Sequence, residues 1–361
     1  MNATGQLHAL GQSLWLDNIT RDLLDSGTLA RYIADWSVTG LTSNPTIFYN
    51  AIKGSNDYDA AIRSQLEAAK TSEAMFFEIA LDDIRRAADL FRPLFERTNG
   101  VDGWVSIEVS PLLAYDTQST LAAAKDLHAR AGRPNVFIKI PGTEEGLPAI
   151  EEAIFSGVPV NVTLLFSREH YAAAANAYLR GIERRIAAGL DPNVASVASL
   201  FISRWDVAVT GNATAPLKNR LGIAMGQRTY KAYCDLIATP RYRRVQNEGG
   251  RPQRLLLAST GTRDPQASDV MYVEALPAPF TVNTMPEHTL KAFADHGKVG
   301  APIPADGGDC ESVLAQYQLA GVDIDALAAR LQGEVAASFV QSWNELLGVL
   351  ATKSGMLDKA A

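Results

Sequence analysis

The sequence predicts an α/β protein built as a (β/α)8 TIM barrel with additional helices, including C-terminal helices near the barrel mouth. Two observations predict it. Eight short β-type runs recur along the chain with helical segments between them. Repeated strand–helix alternation implies parallel strands joined by helical crossovers, and eight strands is the number that closes this barrel. Within the runs, one face is aliphatic while the other carries polar residues late in the strand. That is the pattern of an outside covered by helices and a site at the strand C-terminal ends.

In chain order the runs are SLWLDNI (13–19), TGLTSNP (39–45), GWVSIEV (103–109), NVFIKIP (135–141), PVNVTLLF (159–166), SVASLFIS (196–203), RLLLAST (254–260) and FTVNTMP (280–286). Ala-rich segments with helical periodicity, such as STLAAAKDLHARAG and SREHYAAAANAYLRGIERRIAAG, supply crossovers. Residues 46–102 have room for two helices, around 57–69 and 72–96. Residues 204–253 hold one long helix or two, ending in a polar turn at 246–254. The tail reads as helices near 286–296, 308–319, 323–332 and 334–352. No Gly/Ser or Pro-rich linker, low-complexity tract or internal repeat interrupts the chain, so one domain over residues 1–361 is expected.

Strand parity sharpens the picture. Val105, Ile107 and Val109 share one face against Trp104, Ser106 and Glu108. Val136, Ile138 and Ile140 oppose Asn135, Phe137 and Lys139. Val160, Val162 and Leu164 oppose Asn161, Thr163 and Leu165. With the aliphatic faces outward, the interior receives Asp17, Asn44, Glu108, Lys139, Asn161, Thr163, Ser199 and Ser259. A buried polar network could explain one or two such residues. A lysine and two carboxylates within an eight-member ring point to a site, because buried charge is costly unless paired or functional.

The residue types suggest a reaction. A desolvated amine is a good nucleophile toward a carbonyl, and the resulting imine is an electron sink that lets the adjacent C–C bond break. Lys139 is the candidate, although an ion pair with Glu108 or Asp17 would also account for it. Imine chemistry needs several proton transfers, for which Asp17 and Glu108 are placed as acid or base. Thr163 could hold a water between a carboxylate and the imine. Asn44 and Asn161 could bind substrate hydroxyls or simply cap strand ends.

Other chemistries fit poorly. None of the five histidines falls on the inward face of the first seven strands, which argues against a His-based metal site. Dinucleotide and P-loop motifs are absent, as is a Cys–His or Ser–His pairing. No metal or cofactor is expected. Cys234 and Cys310, far apart, read as free thiols of a reducing compartment. The N-terminus lacks a signal-peptide pattern, and no stretch approaches the roughly 18 apolar residues of a membrane span, so the chain reads as cytoplasmic. A net charge of −7, with 47% hydrophobic and 20% charged residues, argues against nonspecific nucleic-acid binding but not against a phosphate ligand.

The stretches WLDNI, GLTSNPTIF, VSIEVSPLLAYDT, VFIKIPGTEEGLPAI, VNVTLLFS, SVASLFISRWD, LLLASTGTRDPQASDVMYVEAL and VNTMPEHTL together resemble the transaldolases, specifically their longer bacterial subfamily. The resemblance runs from about Leu14 to Leu347. It implies a metal-free class I transfer of a dihydroxyacetone unit in the non-oxidative pentose phosphate pathway. The unit passes from sedoheptulose 7-phosphate to glyceraldehyde 3-phosphate, giving erythrose 4-phosphate and fructose 6-phosphate. By motif position, Lys139 matches the Schiff-base lysine, Asp17 the acid/base aspartate, Glu108 a glutamate working through a water, and Thr163 the threonine holding that water. Asn44, Asn161 and Ser199 match residues around the dihydroxyacetone hydroxyls. Arg204 and Arg263 match a phosphate-gripping pair, with Ser259 in the same motif, where Thr260 or Gly261 could take its place. This clamp follows strands six and seven, whereas barrels commonly use the loops after seven and eight.

The partners implied are sugar phosphates, with neither nucleic acid nor membrane; a monomer and a homodimer both stay open. Two other readings remain: a class I fructose 6-phosphate aldolase releasing free dihydroxyacetone, and a non-catalytic sugar-phosphate-binding barrel.

Overall fold

The computed structural model describes residues 2–66, 71–211 and 215–359. Its eight parallel strands close into a barrel in sequence order: β1 Ser13–Asp17, β2 Val38–Thr42, β3 Trp104–Glu108, β4 Val136–Pro141, β5 Val160–Leu165, β6 Ser196–Phe201, β7 Gln253–Ala258 and β8 Val282–Met285. β8 pairs back onto β1, so no sheet edge is left open. Each strand lies within one of the eight expected runs or begins one residue before it, and the (β/α)8 architecture stands as expected.

Parity sorts the side chains into two cores. Leu14, Leu16, Val105, Ile107, Val136, Ile138, Ile140, Val160 and Val162 join the cluster between the strands and the helix ring. Trp15, Trp104, Phe137, Val197, Leu256 and Val282 join a second cluster. Trp15 and Phe137 lie 6.0 Å apart between ring centroids, and their strands are not neighbours, so this contact crosses the barrel lumen. Gly40 makes room for it: a Cβ there would stand 2.6 Å from the Trp15 indole nitrogen and 2.6 Å from the Trp104 carbonyl.

One parity assignment fails. Leu164 belongs to the inner cluster and Leu165 to the outer one, the reverse of strict alternation. The cause is a bulge. On β5 the register runs from Val162, opposite Ala198, to Leu165, opposite Leu200, so β5 carries one residue more than β6. Leu164 takes up the extra residue with φ of +63°.

The helices differ from expectation in several places. Residues 46–102 hold three rather than two: Pro45–Gly54, Asp59–Gln65 and Ser72–Arg97. The overlooked first one has ordinary start signals, with Asn44 as N-cap and Pro45 in the first turn. Positions 67–69 of the helix expected at 57–69 lie outside the described residues. Residues 204–253 contain the helices Ser203–Ala208, Leu221–Ile237 and Pro240–Asn247. The two helices expected at 323–332 and 334–352 are one, Ile324–Lys359. Gly333 costs about 1 kcal/mol in a helix interior, but Leu331, Val335, Ala336 and Phe339 are buried around it and keep the helix continuous.

Candidate active site

At the C-terminal ends of the strands opens a cavity of about 360 Å³. Asp17, Asn44, Lys139, Thr163, Ser199, Arg204, Ser259 and Arg263 line it. Glu108 and Asn161 lie outside that lining, buried among the strands. All ten expected site residues are therefore gathered at one end of one barrel, drawn from β1 and β3 to β6 and from the turns after β2, β6 and β7.

Lys139 is paired in register with Glu108 on β3 and with Asn161 on β5. Its ammonium lies 3.2 Å from Glu108 Oε2 and donates a hydrogen bond of 3.0 Å to the Ser43 carbonyl. The contact with Glu108 is one of charge rather than of hydrogen-bond geometry, since neither Glu108 oxygen has a hydrogen-bond partner among the described residues. Burial raises the Glu108 pKa above its ordinary value; Lys139 opposes that rise and the charge of Asp17 adds to it. Burial likewise raises Asp17, against the charge of Lys139 and a 2.7 Å hydrogen bond donated by the Thr42 hydroxyl. Two carboxylates with raised pKa beside one amine form a group that can hold and pass protons.

Thr163 Oγ1 is buried and also without a partner among the described residues. Asn161 behaves differently. Its amide nitrogen donates to Ser106 at 3.1 Å, and its oxygen accepts from Ser199 at 2.7 Å, so it sits in the barrel floor and orients Ser199. Asn44 lines the cavity while its Oδ1 caps the helix at Ile47 N, 3.0 Å away. The capping and site readings of this residue are thus compatible: the oxygen is used, and the amide hydrogens are what it can offer a ligand.

Beyond β6 and β7, burial and the nearby Arg263 charge both lower the Arg204 pKa. Arg204 Nε is buried with no partner among the described residues. Two like charges held close, one with an unused donor, suit a dianionic ligand. Ser259, with φ of +57°, shares a 2.9 Å hydrogen bond with Ser203. Of the substitutes weighed for it, Thr260 is fully buried and donates to Asn283 Oδ1 at 2.8 Å, whereas Gly261 does line the cavity.

The sequence reading passed over several wall residues. Thr42 and Thr284 hydrogen-bond each other at 2.8 Å beside Asp17. Strand parity could have found Thr42, two residues from Asn44 and Gly40. Phe201 shares the inward face of β6 with Ser199. His288 is the second residue of the helix Glu287–His296, and Phe339 reaches the wall from the C-terminal helix. No local pattern announces either of these last two.

The family model "Transaldolase/Fructose-6-phosphate aldolase" matches residues 14–350. The chain belongs to that family. It is 44% identical over 365 residues to a protein named transaldolase from Frankia alni, covering 98% of both chains. It is 43% identical to transaldolases of Saccharopolyspora erythraea, covering 96% of this chain and 97% of that one, and of Thiobacillus denitrificans, covering 96% and 99%. The family match takes in β1 from Leu14, all of the other seven strands and every residue of the cavity wall named above.

Proposed function

We propose that this chain is a transaldolase that moves a dihydroxyacetone unit between sugar phosphates through an imine at Lys139. The observation that carries the reading is the placement of Lys139. It is buried, 3.2 Å from a carboxylate of raised pKa, in a cavity also lined by Arg204 and Arg263. A ketose phosphate would span the two, with its ketone at the lysine and its phosphate at the arginines.

In this scheme the neutral amine of Lys139 adds to the C2 ketone of sedoheptulose 7-phosphate. The carbinolamine takes up a proton, loses water and becomes an iminium ion. A carboxylate then removes the C4 hydroxyl proton. The C3–C4 bond breaks, its electron pair flows into the iminium, and erythrose 4-phosphate leaves. The remaining enamine attacks the aldehyde of glyceraldehyde 3-phosphate, whose oxygen gains a proton, and hydrolysis frees fructose 6-phosphate and Lys139. Asp17 and Glu108 carry the protons. Thr163 holds the water between Glu108 and the imine, a role supported by its unpartnered, buried hydroxyl. Asn44 and Ser199 orient the dihydroxyacetone hydroxyls, with Asn161 setting Ser199. Ser259 joins the arginines at the phosphate.

No described helix is long and apolar enough to cross a membrane. Cys234 and Cys310 are free thiols, which supports a cytoplasmic location.

The test pairs an assay with a trap. Fructose 6-phosphate should be consumed rapidly only when erythrose 4-phosphate is supplied as acceptor. Borohydride with substrate should leave a reduced adduct on the peptide containing Lys139. Rapid release of free dihydroxyacetone without acceptor would identify an aldolase instead. An adduct on another lysine, or none, would refute the mechanism.

A further inference from the structure

The bulge in β5 lies immediately after Thr163, and something must hold it. Leucine rarely adopts positive φ, because its Cβ crowds the backbone there. Leu164 does so at +63°. Two backbone carbonyls at this point are satisfied by a single side chain from far along the sequence. Gln332, on the C-terminal helix, donates from Nε2 to the Leu164 carbonyl at 2.9 Å and to the Gly142 carbonyl at 3.2 Å. Gly142 in turn donates its N–H to the Thr163 carbonyl at 2.7 Å. The amide of Gln332 therefore ties the end of β4, the strand of Lys139, to the end of β5, the strand of Thr163. The same helix puts Phe339 on the cavity wall and bonds Ser342 to Thr46 at 2.8 Å, two residues past Asn44.

We infer that Gln332 is a positioning residue for the Thr163 hydroxyl: it stabilises the left-handed backbone at Leu164 and so fixes where Thr163 Oγ1 stands relative to Lys139 and Glu108. Gln332 is absent from the cavity wall and touches no reacting atom. Its effect passes through the backbone on either side of Thr163. Without its two hydrogen bonds the bulge can relax toward ordinary strand alternation, which would turn Leu164 and Leu165 off their present faces and shift the backbone next to Thr163, moving its hydroxyl while leaving it inward. The inference rests on the role proposed above for Thr163.

The test is a double-mutant cycle on the full chain with Gln332→Met, Thr163→Ala and the pair. Methionine keeps the length of glutamine and the helix while removing the donor; Gln332→Ala is made alongside in case methionine disturbs folding. Gln332→Met is expected to lower kcat about 10-fold, the scale of a lost pair of modest hydrogen bonds. The rate of borohydride-trapped adduct formation at Lys139 should fall in parallel, with KM for the ketose phosphate within about twofold. In the Thr163→Ala background the substitution should cost nothing further. An equal loss in both backgrounds, or unchanged kcat in Gln332→Met and Gln332→Ala while Thr163→Ala is impaired, would overturn the inference alone. Thr163→Ala with normal kcat would overturn the role of Thr163 and this inference with it.

Discussion

The two ends of this barrel enclose cavities of nearly equal volume and opposite chemistry. At the N-terminal end, about 350 Å³ is bounded by Trp15, Trp104, Phe137 and Val197, with His8, Asp102, Arg251 and Arg254 at its rim. Asp102 and Arg254 there are paired, 3.4 Å apart. Arg254 donates to the Val101 and Thr281 carbonyls at 2.9 and 2.8 Å and to Ser13 at 2.6 Å, and Ser13 donates to Asp102 at 2.5 Å. Burial alone would raise the Asp102 pKa, but His8, Arg254 and Ser13 outweigh it and hold the carboxyl below its ordinary value. At the C-terminal end, about 360 Å³ is walled by groups left short of partners: Thr163, Arg204 and, behind them, Glu108. There burial wins, and both carboxylates are raised. Volume does not distinguish a site from a gap in packing; unpartnered reactive groups do.

The contrast predicts separable failures. The largest effect should come at the C-terminal end from Lys139→Ala. Steady-state transfer is expected to fall on the order of 10⁴-fold, with loss of borohydride trapping. Glu108 loses its buried ion partner in this variant but can take up a proton, so the denaturant curve should shift by less than in the N-terminal variant below; retention of turnover would remove the distinction between the two ends.

Next comes the N-terminal end. Asp102→Ala leaves the partly buried Arg254 without its ion-pair partner, and should cost about 2 kcal/mol in denaturant unfolding. The kcat of the folded fraction should not change. The pH dependence follows from the sign of the shift. Because the folded pKa of Asp102 is depressed, its contribution is complete above the unfolded value of about 3.9 and is lost as pH falls through the folded one. The difference between parent and variant should therefore shrink only in strong acid. A fall in kcat as large as the fall in stability would show that the two ends are coupled.

A third effect is expected from Arg204→Ala. It should raise KM for ketose phosphate about 50-fold, the scale of a lost charge-assisted contact. An unphosphorylated ketose should be nearly indifferent to the change, as measured by initial rates. Equal losses for both sugars would place Arg204 outside phosphate recognition.

The smallest concerns pH. With Asp17 and Glu108 both raised, the acid limb of kcat/KM should lie above the ordinary carboxylate range of about 4. In Asp17→Asn the residual activity should show that limb at lower pH, because one cause raising Glu108 has been removed. A limb unmoved by the substitution would assign it to a group other than Glu108.

Much of this was legible in the residues. Alternation of two is a local property of extended chain, so Glu108, Lys139, Thr163 and Ser199 could be assigned inward from their own strands. Asn44 was legible twice, as an inward polar residue and as the N-cap of a helix that was nonetheless overlooked. The fused C-terminal helix was not legible, since Gly333 weakens the local signal that burial of Phe339 and its neighbours overrides. Leu164 was misassigned because nothing within VNVTLLF marks a bulge.

The sequence by itself thus determined the strands, the two faces of each and the chemistry of the interior ring, because these follow from backbone period and side-chain type. Tertiary structure alone decided where alternation breaks after Thr163, that Gln332 stands beside that break, and that His288 and Phe339 reach the cavity wall. Those outcomes depend on contacts between residues far apart in the chain: the Gln332 amide is 168 residues from the Leu164 carbonyl it holds. Such a contact exists only once the barrel has closed and the last helix has docked.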